Sequence, residues 1–189
     1  VLTYPAEGLT LEDKQELNRG LLRSGANIVE MNCVRKHLSA IKGGRLAQAI
    51  APARTVTMLI SDVPGDIPGV IGSGPTVPDD TTFAEARAVI EKYGIKPPAA
   101  IMDHLLKAEN ETPKSGDPLF ANSELIMAGR PKASLDAAAL AARQAGVRPI
   151  VLGDDVEGET VDVARQHAAM VRKILESGET TDGPCVILS

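Results

Sequence analysis

The chain has 189 residues, a length that suits one domain or a domain with part of another, and 43% of them are hydrophobic, ordinary for a protein that buries a core. With two Phe, two Tyr and no Trp, that core must come from Ala, Val, Ile and Leu, which suit close packing of helix on sheet. The formal charge of -5 excludes a general nucleic-acid surface; no apolar run approaches the roughly 18 residues of a membrane span and no signal peptide is present, so no membrane partner and a cytoplasmic location are expected.

Along the chain, Thr10 followed by Asp13 forms a capping-box pattern, which predicts a helix from about Leu11 to Ser24. Ile28 to His37 and Leu46 to Ile50 have helical spacing and are separated by Gly43-Gly44, which predicts two helices with a glycine elbow. Thr55 to Ser61 is β-branched and apolar and reads as a buried strand. The stretch from Val63 to Asp80 holds four Pro and four Gly, a connection long enough to suggest function. Thr82 with Glu85 then caps a helix from about Phe83 to Tyr93, ended by Gly94, and Pro98 opens another reaching about Lys107.

Asn110 to Asn122 is a polar connector, and a soft domain boundary is expected there, dividing 1–115 from 116–189. Beyond it the pattern is strand (Glu124 to Ala128), helix (Ser134 to Gln144), strand (Pro149 to Leu152), helix (about Glu159 to Ser177) and strand (Cys185 to Ser189). In the last helix Val161, Ala164, Ala168, Val171 and Leu175 form an apolar stripe expected to face a sheet. Strands alternating with helices imply parallel pairing and an α/β fold. Cys33 and Cys185 are far apart and predict two buried or half-buried thiols rather than a zinc site or disulfide.

Three clusters could do chemistry. The segment Arg35 to Arg45 sets Arg35, Lys36, Lys42 and Arg45 with His37 and Ser39 around Gly43-Gly44. On a continuous helix Arg35, Ser39 and Lys42 would stack, the glycines would let backbone amides reach an anion, and the next helix would offer its positive end, an arrangement suited to phosphate. The alternative is a solvated basic helix face with a glycine cap. Asp62 and Asp66 follow the Thr55 to Ser61 strand, at the carboxyl end where α/β sheets collect ligands. They could hold magnesium or take a hydroxyl proton, or simply form a turn and a cap. In Ile71 to Thr76 the glycines around Ser73 (Gly72 and Gly74) could offer amides and a hydroxyl to a carboxylate or phosphate, although neither the dinucleotide fingerprint nor a Walker A motif is present.

Taken together, E-M-N-C-V-R-K-H-L-S-A-I-K-G-G-R-L-A (Glu30 to Ala47), L-I-S-D-V-P-G-D (Leu59 to Asp66), I-G-S-G-P-T-V-P-D (Ile71 to Asp79) and E-T-P-K-S-G-D (Glu111 to Asp117) resemble the glycerate 2-kinases, a family that includes proteins formerly labelled hydroxypyruvate reductase. The resemblance implies a three-layer, Rossmann-like parallel sheet flanked by helices and truncated at both ends. On it, 1–115 is the later part of the amino-terminal domain and 116–189 leads into a MOFRL-type carboxyl-terminal domain.

The function it implies is ATP-dependent, magnesium-requiring phosphorylation of D-glycerate by a longer parent, with this stretch inactive alone. Arg35, Lys36, Ser39, Lys42, Gly43, Gly44, Arg45, Ser73 and Gly74 would bind substrate and nucleotide. Asp62, Asp66 and Lys42 would be catalytic, with Asp62 and Asp66 as the metal ligands. A hydroxypyruvate reductase and a non-catalytic anion-binding module are the rival readings, and there is room for a homodimer.

Overall fold

The computed structural model describes residues 3–177 and 183–189. Among the described residues, seven α-helices and four strands follow in the order α1 (Leu11–Ser24), α2 (Ile28–His37), α3 (Arg45–Ile50), β1 (Thr55–Ile60), α4 (Phe83–Lys92), α5 (Ala99–Lys107), β2 (Ser123–Gly129), α6 (Pro131–Gln144), β3 (Arg148–Val151), α7 (Thr160–Ser177) and β4 (Cys185–Leu188). The α/β reading is borne out. The expected caps form as the sequence directs: the Asp13 amide donates to Thr10 Oγ1 at 3.1 Å while the Thr10 amide donates to Asp13 Oδ2 at 2.9 Å. Thr82 and Glu85 repeat the pattern at α4, and Asn27 with Glu30 adds a third box at α2.

The chain divides into two compact units, one of 1–59 and 67–126, the other of 60–66 and 127–189. In the first, the core is helical: Leu17 and Leu21 of α1, Cys33, Val34 and Leu38 in and just after α2, Phe83, Ala86, Val89 and Ile90 of α4, and Ile101 and Leu105 of α5. Each fully buried Leu, Ile or Phe in this cluster contributes on the order of 1.5–3 kcal/mol by leaving water. The sequence predicted helix on sheet, and here the packing is helix on helix.

The same shift corrects the reading of β1. Val56 and Met58 are 49% and 69% exposed, so the strand is half-buried on one face and exposed on the other. Its apolar composition reports two faces fit for burial, and among the described residues only one of them is covered.

In the second unit β3 and β4 pair in parallel, Arg148 opposite Cys185 and Val151 opposite Leu188, and α6 packs on both strands. The stripe expected on α7 is overturned. Val161, Ala164, Ala168, Val171 and Leu175 all face solvent, and the half-buried face carries Val163, His167, Met170 and Ile174. Both sets recur at intervals of 3 or 4, so periodicity allowed either; the second set includes the larger Met and Ile, and covering them removes more apolar surface from water. Among the described residues, no helix is long and apolar enough to cross a membrane.

Candidate functional site

The basic segment does not continue as a helix. α2 ends at His37, Leu38 caps it, and Ser39 turns away to bridge Pro5, so Arg35, Ser39 and Lys42 do not stack along one axis. Ser39 is fully buried; its hydroxyl donates to the Tyr4 carbonyl at 3.0 Å and accepts from the amides of Ile41 and Lys42. Short-range hydroxyl-to-backbone bonding of this kind competes with helix continuation.

The first and third clusters meet. Gly43 donates its amide to the Ser73 carbonyl at 3.0 Å, Gly44 to Gly74 at 2.8 Å, and the second and third amides of α3, on Leu46 and Ala47, both reach the Pro75 carbonyl. These amides are therefore spent on the 73–75 loop and are not directed at an anion as the sequence suggested. The knot requires its glycines: Gly43 has φ +60, and a β-carbon there would lie 2.9 Å from Asp79 Oδ2. Ser73, itself at φ +63, is buried and donates from Oγ to Asn32 Oδ1 at 3.2 Å.

The cations are not a solvated face. Lys36 and Lys42 are buried, and each basic side chain has a particular environment. Lys36 Nζ lies 2.6 Å from Asp79 Oδ1, both side chains sealed from water. Burial alone would push the Asp79 carboxyl up, but hydrogen bonds from Lys36 and Thr81 outweigh it and hold the group below its ordinary value. His37 Nδ1 donates to the Cys33 carbonyl at 2.8 Å, and Nε2 sits 2.8 Å from Glu111 Oε1. Burial likewise raises Glu111, and the amides of Phe83 and Thr112, with His37 nearby, bring it down overall.

Arg35 forks onto Asn18 Oδ1, Lys42 Nζ donates to the Gly72 carbonyl at 3.1 Å, and Arg45 donates to the Asn110 carbonyl at 2.5 Å. Burial lowers the affinity of Arg35, Lys42 and Arg45 for their protons. Arg45 is partly compensated by the charges of Glu111 and Asp79. Among the described residues no such carboxylate acts on Arg35 or Lys42; on Lys42 the Arg35 charge adds to the lowering.

Asp62 and Asp66 belong to the other compact unit. Asp62 is exposed beyond β1; Asp66 is half-buried in the 64–66 turn, at φ +53, with Arg130 Nε 3.5 Å from its Oδ2. Among the described residues, no three His, Cys, Asp or Glu come together as a metal cage. Magnesium is commonly held by one or two carboxylates, with water and substrate phosphates completing the shell, and Asp62 and Asp66 are carboxylates of that kind in and beside one turn.

Sequence reasoning missed Asp79, Glu111, Lys114 and Lys14. Asp79 closes the quoted I-G-S-G-P-T-V-P-D motif and anchors Lys36 from 43 residues away. Lys114, in the connector, donates to the carbonyls of Asp79 and Thr81, which makes that stretch a wall of the first unit rather than a tether. Lys14 had a signal: it precedes Leu17 and Leu21 by three and seven residues and so shares the buried face of α1. Its Nζ is buried and meets no acceptor among the described residues.

Residues 1–106 match a family described as a domain of unknown function, DUF4147. The chain belongs to the DUF4147 family. The likeness to glycerate 2-kinases read from the motifs is borne out as well. The chain is 48% identical over its whole length to an Agrobacterium vitis protein that bears a hydroxypyruvate reductase name, covering 42% of that protein. It is 36% identical to a glycerate 2-kinase of Pyrococcus horikoshii, over 97% of this chain and 42% of the relative. Among solved structures, a glycerate kinase from Thermotoga maritima superposes with a TM-score of 0.72 at 38% identity, covering 90% of this chain and 39% of that one. This DUF4147 chain thus spans less than half the length of these relatives.

Proposed function

We propose that the whole protein to which this DUF4147 chain belongs transfers the γ-phosphoryl group of ATP to the 2-hydroxyl of D-glycerate. The observation that carries the reading is the knot in which the Lys42–Arg45 segment and the Ser73–Gly74 loop hold each other, with buried cations around it. Phosphoryl transfer asks the protein mainly to position the reactants and neutralise charge on the moving group, which cations suit. Arg35, Lys42 and Arg45 bind the anionic groups. Lys36, Ser39, Gly43, Gly44, Ser73 and Gly74 hold those cations in place, Lys36 through Asp79.

Asp62 and Asp66 would hold magnesium, or one of them would accept the proton as the 2-hydroxyl oxygen attacks phosphorus and ADP leaves. Magnesium, when bound, neutralises phosphate charge. On this reading 1–115 is the later part of a Rossmann-like amino-terminal domain, and 116–189 leads into a MOFRL-type one.

The test is product formation by the whole protein. With D-glycerate and Mg-ATP it yields 2-phosphoglycerate, and Asp62→Asn or Asp66→Asn each lowers kcat by about a hundredfold or more. Absence of 2-phosphoglycerate sinks the proposal. The name borne by the Agrobacterium relative supports one rival, reduction of hydroxypyruvate. Consumption of NADH with hydroxypyruvate, read by absorbance, would favour it.

A further inference from the structure

Lys14, Arg35 and Lys42 differ from the other cations described above. Lys36 has Asp79, Lys114 has Glu111 at 3.5 Å, and Arg45 feels both carboxylates. Lys14, Arg35 and Lys42 have none among the described residues: Arg35 rests on the neutral Asn18 amide, Lys42 on the Gly72 carbonyl, and Lys14 Nζ is buried with no acceptor. Lys14 and Asn18 are four residues apart on α1, one turn along the same face, so Lys14 lies on the side of the helix that receives Arg35.

Burying like charges together without a counter-charge is costly, because each loses its water and the repulsion acts in a low dielectric. The cost shows on Lys14: burial, with the Lys42 charge close by, pulls its amine down to about 8. Two things relieve that cost, loss of a proton from the amine or an anion that shares the cluster.

We propose that Lys14, together with Lys42 and Arg35, forms a binding site for a compact anionic oxygen group, a phosphate or a carboxylate. The stem of Lys14 is half exposed while its amine turns inward, so the anion enters beside α1 and receives Lys14 Nζ as a charge-assisted donor. This deepens the kinase reading, because a γ-phosphate and a D-glycerate carboxylate are both groups of this class. It does not depend on catalysis to be true.

Calorimetry on the whole chain, with inorganic phosphate in one arm and D-glycerate in the other, tests it. Phosphate, D-glycerate or both bind, and Lys14→Met weakens that binding about tenfold or more while Lys14→Arg keeps most of it. Whichever arm responds identifies the source of the anion. If neither binds, or if Lys14→Met leaves affinity unchanged, the site is wrong.

A second readout keeps the question open to disproof should Lys14→Met fail to fold. NMR titration of the wild-type Lys14 amine shows its pKa rising on saturation with the anion, and no rise overturns the proposal. A Lys14-dependent phosphate site in a protein that makes no 2-phosphoglycerate leaves this inference standing and removes the kinase reading. The converse outcome, product without Lys14 dependence of binding, does the reverse.

Discussion

Asp79 shows how much one carboxylate organises. It is almost wholly buried, takes Lys36 and Thr81 on Oδ1, and lies against Gly43. Removing one member of a buried pair strands the other, so Lys36→Met is expected to destabilise the fold by about 3–5 kcal/mol, read by chemical denaturation at pH 7. The pH dependence follows from the direction of the shift. Asp79 is held below its ordinary value of 3.8, so its contribution is present above that pH and lost as pH falls through the folded value. The stability gap between the wild type and Asp79→Asn should therefore shrink below about pH 4. Gly43→Ala, which forces a β-carbon into the left-handed region against Asp79, should cost about 1–3 kcal/mol in the same assay. The sequence marked Lys36 and Gly43 as notable residues, but their common partner lay beyond any local pattern.

At the level of elements, legibility followed the range of the forces involved. α1 and α4 were readable to within a residue because capping boxes act over three positions, and Thr10–Asp13 and Thr82–Glu85 form as written. Thr82→Ala should cost about 1 kcal/mol. Phe83, at the next position, is a different case: it is fully buried, edge-on to His37 and His104, and packed with α2 and α5, so Phe83→Ala should cost about 3–5 kcal/mol. Comparing the two in one denaturation series separates a local cap from a shared core. For α7 the apolar residues Val161, Ala164, Ala168, Val171 and Leu175 pointed to one face, and the packing covers another, Val163, His167, Met170 and Ile174.

Across the whole molecule the two units are built unequally. The first has a continuous helical core, whereas Ala139 is the one buried apolar residue among those described in the second. Local stability tracks buried apolar contact, so amides of β3 and β4 should exchange with deuterium before those of α2 and α4. Equal protection in both units would contradict this. The sequence by itself determined the order of helices and strands, the capped helix starts, the kinship with glycerate 2-kinases and the identity of the chemically notable segments. All of these are written in neighbouring residues or in short motifs. Only the tertiary structure decided that the basic segment is buried, that its glycine amides are spent on the Ser73–Pro75 carbonyls, that Lys36 belongs to Asp79, and that Lys14 Nζ is buried with no acceptor among the described residues. Burial and charge pairing depend on what the rest of the chain brings alongside, and no local spacing encodes that.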